Sequence, residues 1–96
     1  MFVVLGYRND CGDSEAFMVE DVYGHDNWTT FDEARLVMLV SYKVMSDEYA
    51  PGWSRDGCDK RKRRIRKASA EFAVPIWDAG RKCESWLKCR WKVVEI

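Results

Sequence analysis

Basic side chains are concentrated in one short stretch of the sequence, where they could bind phosphate groups. Seven of the eight residues from 60 to 67 are Lys or Arg. Lys and Arg at this density neutralise phosphates and release counterions, which produces salt-sensitive binding of nucleic acids. An alternating segment further along adds three cations. The sequence therefore predicts a nucleic-acid-binding surface formed by Lys60, Arg61, Lys62, Arg63, Arg64, Arg66, Lys67, Lys88, Arg90 and Lys92.

Two other interpretations of this basic tract, residues 60–67, remain open. The tract could lie against the acidic part of its own chain, or it could bind a protein partner. As the start of a helix it would be poor, because cations near a helix N-terminus oppose the helix dipole and repel one another. We therefore expect the tract to be loosely ordered until it meets a negatively charged group.

Acidic side chains have a segment of their own. Eight acids and no base lie between Arg8 and Arg35. Carboxylates spread over a hairpin can imitate the phosphates of a nucleic acid and occupy the basic groove of a protein that handles DNA or RNA. This predicts a non-catalytic interaction protein, in the manner of a phage-type inhibitor or regulator. Its partner-binding residues would be Asp10, Asp13, Glu15, Glu20, Asp21 and Asp26, and nucleic-acid binding through the basic tract is the alternative function.

The residue types needed for catalysis or metal binding occur without a supporting pattern. His25 is the only histidine, and the cysteines are Cys11, Cys58, Cys83 and Cys89. No C-x-x-C pair is present, and the acidic surroundings of Cys11 would raise the pKa of its thiol and weaken it as a nucleophile. We therefore expect no enzymatic activity, no catalytic residue, no metal and no cofactor, with the thiols reduced.

The overall composition conceals this segregation of charge. The 96 residues contain 16 bases and 16 acids. Residues 1–50 carry a net charge of −7 and residues 51–96 a net charge of +7. A chain of this length supports one hydrophobic core, so residues 1–96 should form a single domain with an acidic half and a basic half. No apolar run is long enough to span a bilayer and no signal peptide is apparent, which predicts a cytoplasmic protein.

The pattern of apolar residues predicts a small α+β domain. Strands are expected from Phe2 to Tyr7 and from Ala16 to Tyr23, joined by a loop of about six residues. A further strand over 71–78 should lie at a sheet edge because of Pro75, and residues 86–93 alternate between apolar and cationic. We expect an N-terminal hairpin and a C-terminal hairpin, giving an antiparallel sheet of about four strands packed on one main helix.

That helix is predicted from about Phe31 to Met45. Thr30 and Glu33 form a capping box in front of an apolar stretch. A helical wheel places Ala34, Val37, Met38, Val40, Tyr42, Val44 and Met45 on a broad buried side. Leu36 and Leu39 fall on the opposite side. They are either covered by another segment of the chain or form an apolar contact with another chain, and a homodimer is one such arrangement.

The tryptophans offer surfaces on which unpaired bases could stack. Trp91 lies an even number of positions along the chain from both Leu87 and Cys89, so in a strand it shares their face and should lie in the core. Trp77 and Trp86 are the better candidates for exposure.

Overall fold

The computed structural model describes residues 1–10, 13–48, 61–78 and 83–96, with the side chains of residues 10, 13, 76–78, 83 and 84 left out of the description. The predicted α+β fold is confirmed, with one helix packed on an antiparallel sheet. The sheet has five strands where about four were expected. The elements are β1 (Phe2–Asp10), β2 (Asp13–Met18), α1 (Phe31–Glu48), β3 (Lys62–Ile65), β4 (Ser69–Asp78) and β5 (Cys83–Glu95). The predictions for Cys11, Cys58 and Lys60 concern positions outside the described residues.

The strands are arranged in the order β2-β1-β5-β4-β3, and every neighbouring pair is antiparallel. The longest strand, β5, therefore lies at the centre, between β1 and β4. Gly6 of β1 and Ala70 of β4 both lie opposite Trp91. The acidic hairpin β1–β2 and the basic strand β3 consequently lie at opposite edges of one sheet.

The N-terminal hairpin is tighter than the sequence suggests. Asp10 pairs with Asp13, so the two strands leave only two residues between them instead of the expected loop of about six. Strand pairing continues through Asn9 and Ser14, which are turn-forming residue types. A polar residue on an edge hairpin keeps its side chain in water while its backbone is paired, so the composition of this segment does not prevent strand formation.

The helix begins where the capping box predicts. The backbone N–H of Glu33 donates to Oγ1 of Thr30 at 3.2 Å, and α1 starts at Phe31. Its buried residues form a narrow stripe, Ala34, Met38, Tyr42 and Ser46, at four-residue spacing. The prediction that Val40 and Val44 are buried is wrong, because a single helix on one sheet face buries only the side that meets the sheet.

The core lies between α1 and the sheet. Trp91 is fully buried at its centre, where it stacks with Phe72 and meets the ring of Tyr42 edge to face. The indole N–H of Trp91 donates to Oγ of Ser41 on the helix at 3.1 Å, which satisfies the polar group of an otherwise apolar side chain. The predicted core position of Trp91 is confirmed.

The fifth strand comes from the basic tract. Residues 62–65 pair with residues 70–73 of β4, which makes β4 an internal strand and overturns the edge position expected from Pro75. Because β3 ends its pairing at Ala73, Pro75 lies beyond it and breaks no ladder with β3. None of the described residues forms a helix with the length and hydropathy needed to cross a membrane.

Candidate functional site

One face of the sheet is covered by α1, and the other, which we call the open face, carries cations. Side chains alternate between the two faces along β5. Leu87, Cys89 and Trp91 are buried under the helix, so Lys88, Arg90 and Lys92 point to the open face and are exposed. The same alternation was apparent in the sequence.

Strand β3 adds two further cations to this face. Lys62 lies opposite Ala73 of β4, which in turn lies opposite Lys88 of β5. In the next row, Arg64, Glu71 and Arg90 lie side by side on the same three strands. These two rows surround a depression of about 490 Å³ on the open face.

Two aromatic side chains lie among these cations. Trp86 of β5 is 40% exposed and Tyr7 of β1 is 37% exposed. Nζ of Lys62 lies 5.0 Å from the centre of the Trp86 ring, and Cζ of Arg90 lies 5.7 Å from the centre of the Tyr7 ring. Cations at these distances are attracted to the ring faces. The open face thus combines positive charge with accessible π surfaces.

The charge of the open face is not balanced within the described part of the chain. Its five cations are Lys62, Arg64, Lys88, Arg90 and Lys92, and its one described acid is Glu71. No carboxylate of the described residues forms an ion pair with any of the five. A surface with this excess of positive charge attracts anions from solution.

The remaining residues of the basic tract have other positions. Nη1 of Arg61 donates to the backbone carbonyl of Ser46 at 2.9 Å and lies 4.0 Å from Oδ1 of Asp47, so this cation holds β3 against the end of α1. Arg63 shares the parity of Arg61 and lies on the helix side, near Tyr42. Burial raises the pKa of the Tyr42 hydroxyl, and the charges of Arg63 and Arg61 oppose that shift.

Arg66 and Lys67 form the turn between β3 and β4. The backbone N–H of Arg66 donates to the carbonyl of Ser69 at 2.8 Å, and the carbonyl of Lys67 accepts a hydrogen bond from Nε of Arg35 at 3.0 Å. Both side chains are exposed. The described part of the basic tract, residues 61–67, therefore contains an edge strand and a turn, and its cations point to two sides of the sheet. The expectation that these residues are loosely ordered is wrong, because they pair with β4.

The predicted acidic site is spread over two ends of the hairpin. Asp10 and Asp13 lie at the closed end, Glu15 is exposed on β2, and the others lie in the loop after β2. Four strand spacings, about 19 Å, separate β2 from the basic strand β3. The acidic hairpin β1–β2 and the basic strand β3 therefore do not cover each other.

Asp21 has a structural role in its loop. Its Oδ1 accepts hydrogen bonds from the backbone N–H groups of Tyr23 and His25 at 2.9 and 3.0 Å, and its Oδ2 lies 3.3 Å from Nδ1 of His25. Burial by itself would raise the pKa of this carboxyl, but the two backbone hydrogen bonds and the charge of His25 outweigh it and hold the pKa below its ordinary value of 3.8. Glu20 and Asp26 are exposed nearby.

Leu36 is 65% exposed on α1, whereas Leu39 is half-buried and packs against the core. Among the other residues considered for chemistry, Cys89 is buried beneath α1 and His25 is exposed beside Asp21. Within the described ranges, no three His, Cys, Asp or Glu side chains cluster as metal ligands.

Sequence reasoning did not identify Tyr7 and Glu71 as parts of the open face. The one signal for these two residues is their position in the alternation of each strand. Tyr7 lies opposite Arg90, and Glu71 lies between Arg64 and Arg90, so both share the face of these cations. That position becomes informative only once the strand order is known. Trp86 was expected to be exposed and is; the side chain of Trp77 lies outside the described residues.

Comparison of the chain with protein-family models, with curated proteins and with solved structures finds no significant match.

Proposed function

We propose that the open face of the sheet binds single-stranded nucleic acid. The observation that supports this proposal is the placement of five cations, lacking carboxylate partners among the described residues, around the exposed rings of Tyr7 and Trp86. Cations bind the phosphates and release counterions, and aromatic rings stack on unpaired bases. Neither half of this combination requires an enzymatic step, and the absence of enzymatic activity stays a prediction.

The spacing of the two rings suits an extended strand. Tyr7 lies opposite Arg90, four residues along β5 from Trp86, so strand rise and strand spacing together place the Cα atoms of Tyr7 and Trp86 about 14 Å apart. A single strand laid across the face would place one base on each ring and its phosphates near Lys88 and Arg90. A base that stacks on the face of Trp86 covered by Lys62 displaces the ammonium group of Lys62, which then becomes available for a phosphate.

The first experiment is a fluorescence anisotropy titration with labelled single-stranded DNA and RNA at low and high salt. If all five cations contact phosphates, the logarithm of the affinity should fall with the logarithm of salt concentration with a slope of about −3.5, at roughly −0.7 per phosphate. Absence of binding at low salt, or binding that does not respond to salt, would refute the proposal.

A matched pair of variants locates the site. Lys88→Gln with Lys92→Gln removes two charges from the open face, whereas Lys43→Gln with Lys67→Gln removes two exposed charges elsewhere. The first variant should weaken binding and reduce the salt slope by about 1.4. The second should retain most of the affinity. Equal losses would indicate attraction to net charge without a defined surface.

A second pair tests stacking. Trp86→Ala should weaken the binding of single strands by about 1 to 3 kcal/mol, the contribution of one stacked base. Tyr23→Ala removes another exposed aromatic ring, in the loop after β2, and should leave the affinity unchanged. Duplex DNA offers no unpaired base, so its binding should respond equally little to both substitutions.

Binding of a basic, nucleic-acid-handling protein by the acidic segment stays a second candidate function. It is favoured by the exposed carboxylates of Glu15, Glu20 and Asp26. Neutralising Asp10, Asp13, Glu15, Glu20 and Asp26 together should abolish capture of such a partner while the fold is retained. Affinity capture with and without nuclease separates the two candidates, because only nucleic-acid-mediated recovery is lost after nuclease treatment. For either function, we propose a cytoplasmic location.

A further inference from the structure

The outer side of α1 carries a row of aliphatic side chains that the described residues do not cover. Leu36, Val40 and Val44 are 65%, 56% and 58% exposed. They are spaced four residues apart and therefore lie above one another on one side of the helix. The row extends about 12 Å, or a little over two helical turns.

This row borders a groove between the helix and the segment that follows β2. The groove has a volume of about 410 Å³, and the rest of its apolar lining comes from Val19, Val22, Val37 and Met45. Val22 is almost fully exposed, so the groove has an apolar wall on both sides. It lies on the helix layer and is separated from the open face by the sheet.

The charges around the groove are all of one sign. Glu20, Asp21 and Glu48 line it, and no Lys or Arg is among the described residues that do. Asp21 is partly occupied with its own loop, which leaves Glu20 and Glu48 as exposed carboxylates on opposite walls. An apolar floor between acidic walls is complementary to an apolar helix stripe flanked by Lys and Arg.

A second copy of the chain does not offer that complement through the same face. Helix α1 contains four acids and two bases, a net charge of −2. Two such helices packed through their exposed stripes would bring two surfaces of net negative charge together, and like charges in close contact oppose association.

From these observations we propose that the groove formed by Leu36, Val40, Val44 and Val22 binds a basic amphipathic helix of a partner protein. The proposal goes beyond nucleic-acid binding by the open face and does not depend on it. The partner helix would place apolar residues at i, i+3 or i+4 and i+7 in the groove and its cations beside Glu20 and Glu48.

The probe is a labelled synthetic peptide of about 18 residues, long enough to form a helix, with Leu on one face and Lys on the rest. Two peptides serve as controls. One replaces every Lys with Glu, and the other keeps the Leu and Lys composition in a scrambled order that destroys the apolar face. We expect binding of the first peptide only, and equal binding of either control would overturn the proposal.

Variants of the protein locate the peptide. Leu36→Ser with Val40→Ser should weaken binding by about tenfold or more, since both side chains contact the apolar face of the peptide. Ile65→Ser removes an exposed aliphatic side chain on β3 and should have no effect. Circular dichroism verifies that each variant is folded. We expect each to fold, because the substituted residues are exposed. Equal affinities for the groove variant and the wild type would refute the proposal.

The charge requirement has its own test. Glu20→Gln with Glu48→Gln should weaken binding of the Lys peptide and reduce its salt dependence, whereas Asp26→Asn with Asp32→Asn should change neither. Light scattering of the protein alone tests whether a second copy of the chain occupies the groove. A concentration-dependent dimer that is lost in the Leu36→Ser and Val40→Ser variant would assign the groove to a second copy and overturn the proposal.

Discussion

The two faces of the sheet at β5 differ completely in chemistry, although alternate residues of the same strand form them. On the covered face, Leu87, Cys89 and Trp91 are packed beneath α1. On the open face, Lys88 and Arg90 point into solvent. Strand β3 adds Lys62 and Arg64, and Glu71 of β4 is the one acid among the described residues of this face. The covered face thus accounts for stability, while the open face retains charge that the fold does not use. Substitutions on the two faces should therefore have separable effects.

The largest difference is expected between neighbours in sequence. Leu87→Ala leaves a cavity in the core and should lower the free energy of unfolding by about 2 to 5 kcal/mol. Lys88→Ala, on the opposite face, should change it by no more than about 0.5 kcal/mol. Urea denaturation of both variants measures the difference. Similar losses would mean that the two faces do not divide stability as described.

A smaller difference tests how closely the covered face is packed. A Cβ added at Gly6 would collide with the ring of Phe17 on β2, so Gly6→Ala should destabilise the domain by about 1 to 3 kcal/mol. Ala73→Val enlarges a side chain on the open face by two methyl groups. It should cost less than about 0.5 kcal/mol, because a β-branched residue suits a half-buried strand position. Thermal unfolding followed by circular dichroism compares the two.

Lys88 and Lys92 of the open face, which have no ring or carboxylate partner among the described residues, should contribute nothing favourable to stability. Lys88→Gln with Lys92→Gln should leave the free energy of unfolding unchanged or raise it by up to about 0.5 kcal/mol, because like charges on one face repel. Urea titrations at low and high salt measure this effect. A clear destabilisation at low salt would show that these lysines have anionic partners within the fold.

The smallest effect belongs to a carboxylate that the fold does use. The pKa of Asp21 is lower in the folded protein than its ordinary value of 3.8, so ionised Asp21 stabilises the folded state above pH 3.8. That contribution is lost as the pH falls through the lowered pKa. Asp21→Asn should remove it, so its deficit relative to the wild type should shrink as the solution is acidified. Urea denaturation of both proteins at neutral and at acidic pH measures this change, and a deficit that stays constant with pH would contradict the prediction.

Local sequence patterns predicted the elements that have one strong signal. Thr30 and Glu33 located the start of α1, and the alternation from Leu87 to Val93 identified the two faces of β5. Each of these signals depends on a few adjacent residues and on a physical requirement that holds in any fold, namely helix capping or one-sided burial.

The remaining features, namely the face on which each side chain lies, depend on which strands pair and which side of the helix contacts the sheet. In the basic tract, every residue but Ile65 is charged, so no alternation of hydrophobicity indicates that Arg63 faces the helix and Lys62 faces away. Only the pairing with β4 establishes this division. Likewise, Val40 lies on the apolar side of a helical wheel, yet it remains exposed because one sheet covers only one side of the helix.

The strand order has a consequence for synthesis. Of the five described strands, β5 is made last, but it lies at the centre of the sheet, between β1 and β4. Before residues 83–95 leave the ribosome, the nascent chain holds two separate hairpins, β1–β2 and β3–β4, each marginal in water by itself. The hydrophobic sides of both hairpins stay exposed to water until β5 pairs with β1 and β4. Completion of this domain is thus postponed to the end of translation of these residues, and chaperone protection should matter most in that interval.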